Sequence, residues 1–496
     1  MSPNATAGEI DRAARGAREA YDSARQFPAS RLAAFLEAVA LEIESLGEEL
    51  LETGDRETAL GPARLAGERD RTIGQLLMFA ALLREGSYVE AVIDTARPDR
   101  KPASRPDIRK MLFPIGPAAV FPAGNFPFAF GPAGGDTASA FAAGCPVVVK
   151  AHPGYPSTSE LFARAVDGAV RAQGFPPGFF SLLHGDRAEV GRALVEHPGI
   201  AAVGFTGSLV AGRAIFDAAA ARPHPIPVYA EMGSVNPVVL LPGALAERGQ
   251  AIAGELAASV TLGGGQFCTN PPLVFVIEGP ETARFLPELA ARVNDRPPCV
   301  LLSARIGEGL ARAVSATLSK PAVALMAGTG RPAGPGGPLG PTVMRTTSAS
   351  FRDDPGLQDE HFGPVTLVVV CESLDDLFRT LPSLHGTLTA TVHASDLEKD
   401  TARALLSLLR EKAGRLIWNG YPTGVEVVPA MHHGGPYPAT TAPWSTSVGA
   451  AAIKRFLRPV AFQNVPQALL PEALQDANPL GILRLVDGDW TRRPIS

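Results

Sequence analysis

Cysteine is scarce in this chain, with only Cys145, Cys268, Cys299 and Cys371 among 496 residues. Four scattered thiols exclude a disulfide framework and a closed zinc site, and leave the question of whether one of them does chemistry. Charge of one sign is also lacking. A net charge of −5 without a long basic run excludes a nucleic-acid or anionic-membrane footprint and favours a small-molecule partner. No uninterrupted apolar run approaches the ~18 residues of a membrane span. The opening MSPNATAGEIDRAARGAREAYDSARQ has no basic segment followed by an apolar core, and reads as a charged amphipathic helix rather than an export signal. A cytoplasmic protein is therefore expected. Walker-type and G-x-G-x-x-G loops are missing too, so any phosphate-bearing ligand must be cradled another way.

What is present suits a folded protein of two or three domains: 46% hydrophobic and 19% charged residues, with Gly 51 and Pro 46 supplying turns. Residues 6–85 carry helical periodicity, as in RLAAFLEAVALEIESLGEELLET. Residues 95–110 are rich in Pro and Arg without an apolar face, and read as a linker, a plain loop or an exposed arm. From Phe113 short apolar runs alternate with helices: PIGPAAVF, CPVVVKAH, FFSLLHG, IAAVGFTGS. That pattern predicts an α/β fold with a parallel, Rossmann-like sheet covered on both faces. Ser157-x-x-Glu160 predicts a capping box. Ligands bind such sheets at the carboxyl ends of strands where strand order reverses, so the loops after Val120, Val149, Leu183 and Val203 are the places to search. A second α/β unit begins near Asn236 and carries a Gly/Pro-rich insertion at 327–341. The tail from Arg455 reads as a packing or oligomerisation strap.

Cys268 lies in LGGGQFCTNPP, where three glycines allow close backbone approach and two prolines stiffen the exit. A thiol in such a turn suits a covalent catalyst whose pKa is lowered by nearby cations or helix N-termini; the alternative is a buried cysteine acting as a small hydrophobe. Cys145, Cys299 and Cys371 border apolar runs and read as core. Gly204-Phe205-Thr206-Gly207-Ser208 ends a strand and opens a helix, so its N–H groups and the helix dipole suit a pyrophosphate, although Gly and Ser favour such turns in any case.

Taken in order, FPAGNFPFAF, CPVVVKAHP, VGFTGS, YAEMGS, GGGQFC and EHFGP resemble the aldehyde dehydrogenase superfamily over about residues 10–465. NFPFAFGPAGGDTASAFAAGCPVVVKAHPGYPSTSE and HHGGPYPATT look like the branch that holds 2-oxoglutarate semialdehyde (2,5-dioxopentanoate) dehydrogenases and a bacterial NADP-preferring fatty aldehyde dehydrogenase. The resemblance implies NAD(P)+-dependent oxidation of an aldehyde to an acid through a thiohemiacetal and thioester, with 2,5-dioxopentanoate as the substrate and a long-chain aliphatic aldehyde as the alternative. A silent oligomeric scaffold is the rival from another class.

On the same grounds Cys268 matches the nucleophile, Asn125 the oxyanion-hole side chain, and Glu231 the general base, whose burial after an apolar strand would raise its pKa. Its presence argues against relatives that acylate coenzyme A. Lys150 matches the lysine on the adenosine ribose, Gly207 and Ser208 the pyrophosphate turn, Glu360 the carboxylate on the nicotinamide ribose, and Phe362 a ring beside the nicotinamide. Where many NAD-preferring relatives follow the lysine with Pro-x-Glu, this chain has Lys150-Ala151-His152-Pro153 and lacks the acid, and Arg187 adds a cation near the adenine ribose, so NADP is expected and NAD possible. EMGS replaces the more usual Glu-Leu-Gly-Gly. No metal is implied. The expected organisation is a dinucleotide-binding domain of 1–94 and 113–232, a catalytic domain of 233–454, and an oligomerisation arm and tail of 95–112 and 455–496 in a homodimer or homotetramer.

Overall fold

The computed structural model describes residues 3–329 and 339–495. The chain opens with four helices, α1 (Ala7–Ala24), α2 (Ala29–Ser45), α3 (Gly47–Thr58) and α4 (Pro62–Glu85). Thr6 and Glu9 start α1 with a reciprocal capping box. α2 and α4 pack together through Leu32, Phe35, Leu36 and Val39 on one side and Leu65, Leu76, Phe79 and Leu83 on the other. Phe35 is fully buried, stacked on Phe175 with ring centroids 4.5 Å apart and edge-on to Phe141 and Phe179. The helical layer thereby shares one core with the sheet that follows.

After β1 (Val92–Asp94) and β2 (Ile108–Pro114) comes the first α/β unit: β3 (Ala118–Phe121), α5 (Gly135–Ala142), β4 (Val147–Lys150), α6 (Pro156–Ala172), β5 (Phe180–Leu183), α7 (Ala188–Glu196), β6 (Ala202–Thr206), α8 (Leu209–Ala220) and β7 (Val228–Glu231). Its five strands are parallel in the order β5-β4-β3-β6-β7, so the order reverses between β3 and β6. The predicted capping box at Ser157 is absent. Pro156 sits in the first turn of α6, which places Ser157 inside the helix, and the open N–H groups of Ser157 and Thr158 donate to Glu57 of α3, both at 2.8 Å. Glu160 turns instead to His184, 2.5 Å from its Nε2.

The second unit runs through β8 (Val238–Leu240), α9 (Pro242–Thr261), β9 (Leu273–Ile277), α10 (Pro280–Asn294), α11 (Ala304–Leu318), β10 (Ala324–Ala327), β11 (Thr342–Thr347), α12 (Ser348–Asp353), β12 (Val365–Cys371), α13 (Leu374–Thr380), β13 (Thr387–His393), α14 (Lys399–Leu409) and β14 (Ala413–Trp418). Six of its strands are parallel, and β10 adds an antiparallel edge. Most of the Gly/Pro-rich stretch at 327–341 lies outside the described residues.

β15 (Leu457–Gln463), β16 (Arg484–Val486) and β17 (Asp489–Thr491) return to β1 and β2 and form a sheet ordered β15-β2-β1-β16-β17. The tail is tied into its own subunit. Arg484 is fully buried and donates to tail carbonyls, Arg109 of β2 bridges Asp107 and Asp476, and Leu470, Leu474 and Ile482 pack on Ile93. No helix among the described residues is long and apolar enough to cross a membrane.

Candidate active site

Cys268 follows a loop in which Gly263, Gly264 and Gly265 all have positive φ. Gly265 has φ +66, and a Cβ there would come within 2.2 Å of the Gly363 carbonyl, so only glycine lets this loop lie on the Glu360–Pro364 turn. The exit is braced by Asn236, which the motifs did not single out. Its buried amide donates to the carbonyls of Cys268 and Asn270, both at 2.8 Å, while its oxygen accepts from Ser234 and Thr389.

Glu231 ends β7, and segment 439–441 pairs along the same strand edge, with Met232 N donating to Ala439 O at 2.8 Å and Thr441 N to Ala230 O at 3.1 Å. This crossing brings His433 into the site. Its Nε2 lies 3.0 Å from Glu231 Oε1 and 3.5 Å from Cys268 Sγ, its backbone N–H donates to Thr446, and its Nδ1 is buried without a partner. Ser447 Oγ donates to the other Glu231 oxygen at 2.6 Å. A thiol, an imidazole and a carboxylate thus form one hydrogen-bonded chain. HHGGPYPATT entered the sequence reading only as part of the branch resemblance, and His433 was not singled out, because a histidine in a loop carries no local signal.

Burial raises the Glu231 pKa as expected from sequence, but the His433 and Ser447 partners outweigh it, and the net direction is downward. The carboxylate is held ionised. The expectation for Cys268 is reversed as well. Burial, followed by the nearby charges of Glu231 and Glu360, pushes its pKa well up against the opposing pull of Arg71, so the resting group is a thiol. The three donor groups lie within 4.8 Å of one another, a spacing a metal ion would accept, yet the hydrogen bonds among them already account for the arrangement. Of the other cysteines, Cys145 and Cys371 are buried as expected. Cys299 is only half-buried, because it sits beside the open Gly264 turn rather than within a strand.

Asn125 is nearly buried and donates from Nδ2 to the Gln266 carbonyl at 2.9 Å, two residues before Cys268. Its own carbonyl accepts from Arg64 of α4 at 2.5 Å. Arg64 pairs with Glu68 at 3.2 Å, and the Glu68 carboxylate accepts from Phe128 and Ala129 N–H, so α4 holds the asparagine loop at both ends.

Of the remaining candidates, Gly207, Ser208 and Lys150 fall at the ends of β6 and β4 beside the β3/β6 reversal, and Glu360 and Phe362 on the turn that meets Gly233 and Gly265. Gly207 and Ser208 are exposed between β6 and α8; Ser208 accepts from Ala211 N at 3.3 Å, and the Thr206 hydroxyl is buried with no partner. Lys150 ends β4, its pKa lowered by burial against an opposing pull from Asp186. His152 stacks on Tyr155, accepts from Gly154 N at 3.1 Å and is pushed by burial to about 4, which keeps it neutral. Arg187 is exposed at the start of α7. Glu360 accepts from Ser234 N at 3.4 Å, and burial lifts its pKa to about 7. A Cβ on Gly233 would come within 2.5 Å of its Oε2, so the glycine of EMGS makes room for Glu360. Phe362, half-buried, stands in the same turn.

Residues 1–437 match the aldehyde dehydrogenase family profile. The chain is 50% identical to alpha-ketoglutaric semialdehyde dehydrogenase 2 of Azospirillum brasilense and 44% identical to alpha-ketoglutaric semialdehyde dehydrogenase of Acinetobacter baylyi, each over 98% of this chain and 92% of the relative. Among solved structures it resembles aldehyde dehydrogenase 21 from Physcomitrella patens in complex with succinate (TM-score 0.77, 22% identity, 94% of this chain and 92% of that one). It also resembles PnpE in complex with nicotinamide adenine dinucleotide (TM-score 0.77, 21% identity, 95% and 93%).

Proposed function

The chain belongs to the aldehyde dehydrogenase family and oxidises an aldehyde, and from that premise we propose that its substrate is 2,5-dioxopentanoate, converted to 2-oxoglutarate with NADP+ or NAD+. The observation that carries the chemistry is the Cys268–His433–Glu231 chain; the names of the two similar relatives carry the substrate.

Attack of Cys268 on the aldehyde carbon forms the C–S bond, and the thiol proton passes to the Glu231 carboxylate, held ionised, with His433 hydrogen-bonded to both groups. The new oxyanion accepts from the Asn125 amide and the Cys268 backbone N–H. Bound NAD(P)+ supplies the hydride acceptor, and oxidation leaves a thioester on Cys268. Once Glu231 has released that proton to solvent, its carboxylate deprotonates a water that attacks the thioester carbonyl; the C–S bond breaks, the acid leaves, and the Cys268 thiolate takes the proton back from Glu231 to restore the thiol.

The residues present fit such a cofactor. The orphaned Thr206 hydroxyl, the open Gly207–Ser208 turn and the N-terminus of α8 suit a pyrophosphate at the strand reversal. Lys150 and Arg187 would meet the adenosine ribose, and Glu360 and Phe362 the nicotinamide end. Neutral His152 adds no charge, and Pro153 stands where an acid would repel a 2′-phosphate, so NADP+ is accepted. We place the arm and tail sheet against a neighbouring subunit, in a dimer or tetramer built by strand addition.

The test is reduced-nicotinamide formation by the purified protein with 2,5-dioxopentanoate or a long-chain aliphatic aldehyde, each with NADP+ and NAD+, beside a Cys268→Ser control. Turnover of the oxo acid that the control abolishes supports the reading. Turnover of the aliphatic aldehyde alone overturns the substrate, and turnover of neither overturns the activity.

A further inference from the structure

A short oxo acid differs from a plain aldehyde in its charged end, and α4 carries a cation free to recognise it. Two arginines lie two turns apart on one face of this helix. Arg64 is engaged throughout: Nε with Glu68, Nη2 with the Asn125 carbonyl, and its plane over Phe126 and Phe267 at 5.0 and 4.9 Å.

Arg71 is not. Its Nη1 donates to Val425 O at 2.7 Å, its Nε is buried with no partner, and no described residue accepts from Nη2. The guanidinium lies 5.8 Å from the Phe130 ring, which packs on Phe126, whose ring in turn meets Phe267 beside Cys268. It lines a cavity of about 350 Å³ with Gly74, Val425, Glu426 and Val427. The charges that act on it are those of Cys268, of Glu68 one turn earlier on α4, of exposed Glu426 and of Glu231. Arg415, the other buried cation that Cys268 feels, also has an unpartnered buried Nε, but both its Nη groups are on the carbonyls of Gly424 and Pro422, so it clamps the 421–428 loop that forms the far wall of the cavity.

An arginine edge with Nε and Nη2 both free offers two parallel donors to one carboxylate, the strongest neutral-pH recognition a side chain gives that group. Leaving such a donor buried and unmatched is costly, and a ligand carboxylate removes the cost. We propose that the Nε/Nη2 edge of Arg71 anchors the carboxylate of a short ω-oxo acid whose aldehyde carbon meets Cys268, making Arg71 the residue that selects oxo acids over uncharged aldehydes. This rests on the oxo-acid reading above. Exposed Glu426 competes for the same guanidinium and moderates the affinity.

The experiment compares kcat/KM for 2,5-dioxopentanoate and for pentanal in the full-length protein with saturating cofactor. The ratio of the two cancels any effect of Arg71 on the thiol itself. Arg71→Gln lowers this ratio by about 10- to 100-fold, mainly through KM for the oxo acid, the size expected for a lost charge-assisted pair. Glu426→Gln, at an exposed position that folds readily, raises it about two- to threefold. A wild-type ratio that shows no preference for the oxo acid overturns the substrate reading and this inference together. A wild-type preference that survives Arg71→Gln overturns only the anchor. Should Arg71→Gln fail to fold, an unchanged ratio in Glu426→Gln overturns it.

Discussion

At Cys268 the decisive residue was the one that the local sequence could not flag. GGGQFC marks a loop where a thiol meets a ligand, and AEMGS marks an acid at a strand end, but the state of each depends on His433, more than 160 residues further along. His433 draws the Glu231 pKa down, so His433→Gln leaves a buried carboxylate that protonates more readily. The acid limb of kcat/KM should then move to higher pH and the rate should fall by about 10²-fold, as a pH–rate profile of the variant against wild type would read. Glu360 supplies a second test. Its folded pKa of about 7 stands above the ordinary carboxylate value, so its charge costs the cofactor-free protein nothing below about pH 4.5 and progressively more as pH rises through 7. Glu360→Gln should therefore raise apo Tm at pH 8 and not at pH 5, and cofactor affinity in wild type should weaken as pH falls below 7 while the variant shows no such slope.

Element by element, hydrophobic period was a good guide and end chemistry a poor one. The run RLAAFLEAVALEIE buries one face in α2 because Leu32, Phe35, Leu36, Val39 and Ile43 recur every three or four residues, and fully burying each is worth about 1.5–3 kcal/mol. Local spacing at Ser157 and Glu160 predicted a cap that is not there, since the acid at this helix start comes from α3, 100 residues earlier. Glu57→Ala strips two N–H groups and the Thr158 hydroxyl of their acceptor and should cost about 1–2 kcal/mol in urea unfolding. Ser157→Ala, the change that a capping box would make costly, should be near neutral. The sequence reading passed over α11 and β10, ahead of the Gly/Pro-rich stretch; both carry apolar residues but bury few of them, Leu310 and Val314 on the helix and Ala327 on the strand.

For the molecule as a whole, the two α/β units are locked by segments that cross between them. Arg455 reaches back to Asp136 at 2.7 Å and to Ser139 at 3.0 Å, with both charges buried, and residues 452–457 complete the first core. The tail, read from sequence as a packing or oligomerisation strap, is anchored to its own subunit by buried Arg484 and Leu474 and leaves most of its other residues exposed or half-buried. Of the two edges of the larger sheet, β10 and β14, β14 exposes Leu416 and Trp418, and this is the edge that an arm from a neighbour would cover. Light scattering should show a dimer or tetramer, and Leu416→Glu combined with Trp418→Glu should shift it toward monomer; an unchanged mass would move the interface elsewhere.

The sequence by itself determined the α/β layering, named four loops at strand ends as the places to search, and singled out Cys268, Glu231 and Asn125 as candidates. Those features are written in contiguous residues: apolar period, glycine content and short motifs of a known family. Tertiary structure alone decided the charge states of Cys268 and Glu231, the arrival of His433, the bracing by Asn236 and Arg64, and the unmatched edge of Arg71. Burial and Coulomb interaction act between groups that the chain brings together only after it has folded, and their balance has no counterpart in any local stretch of residues.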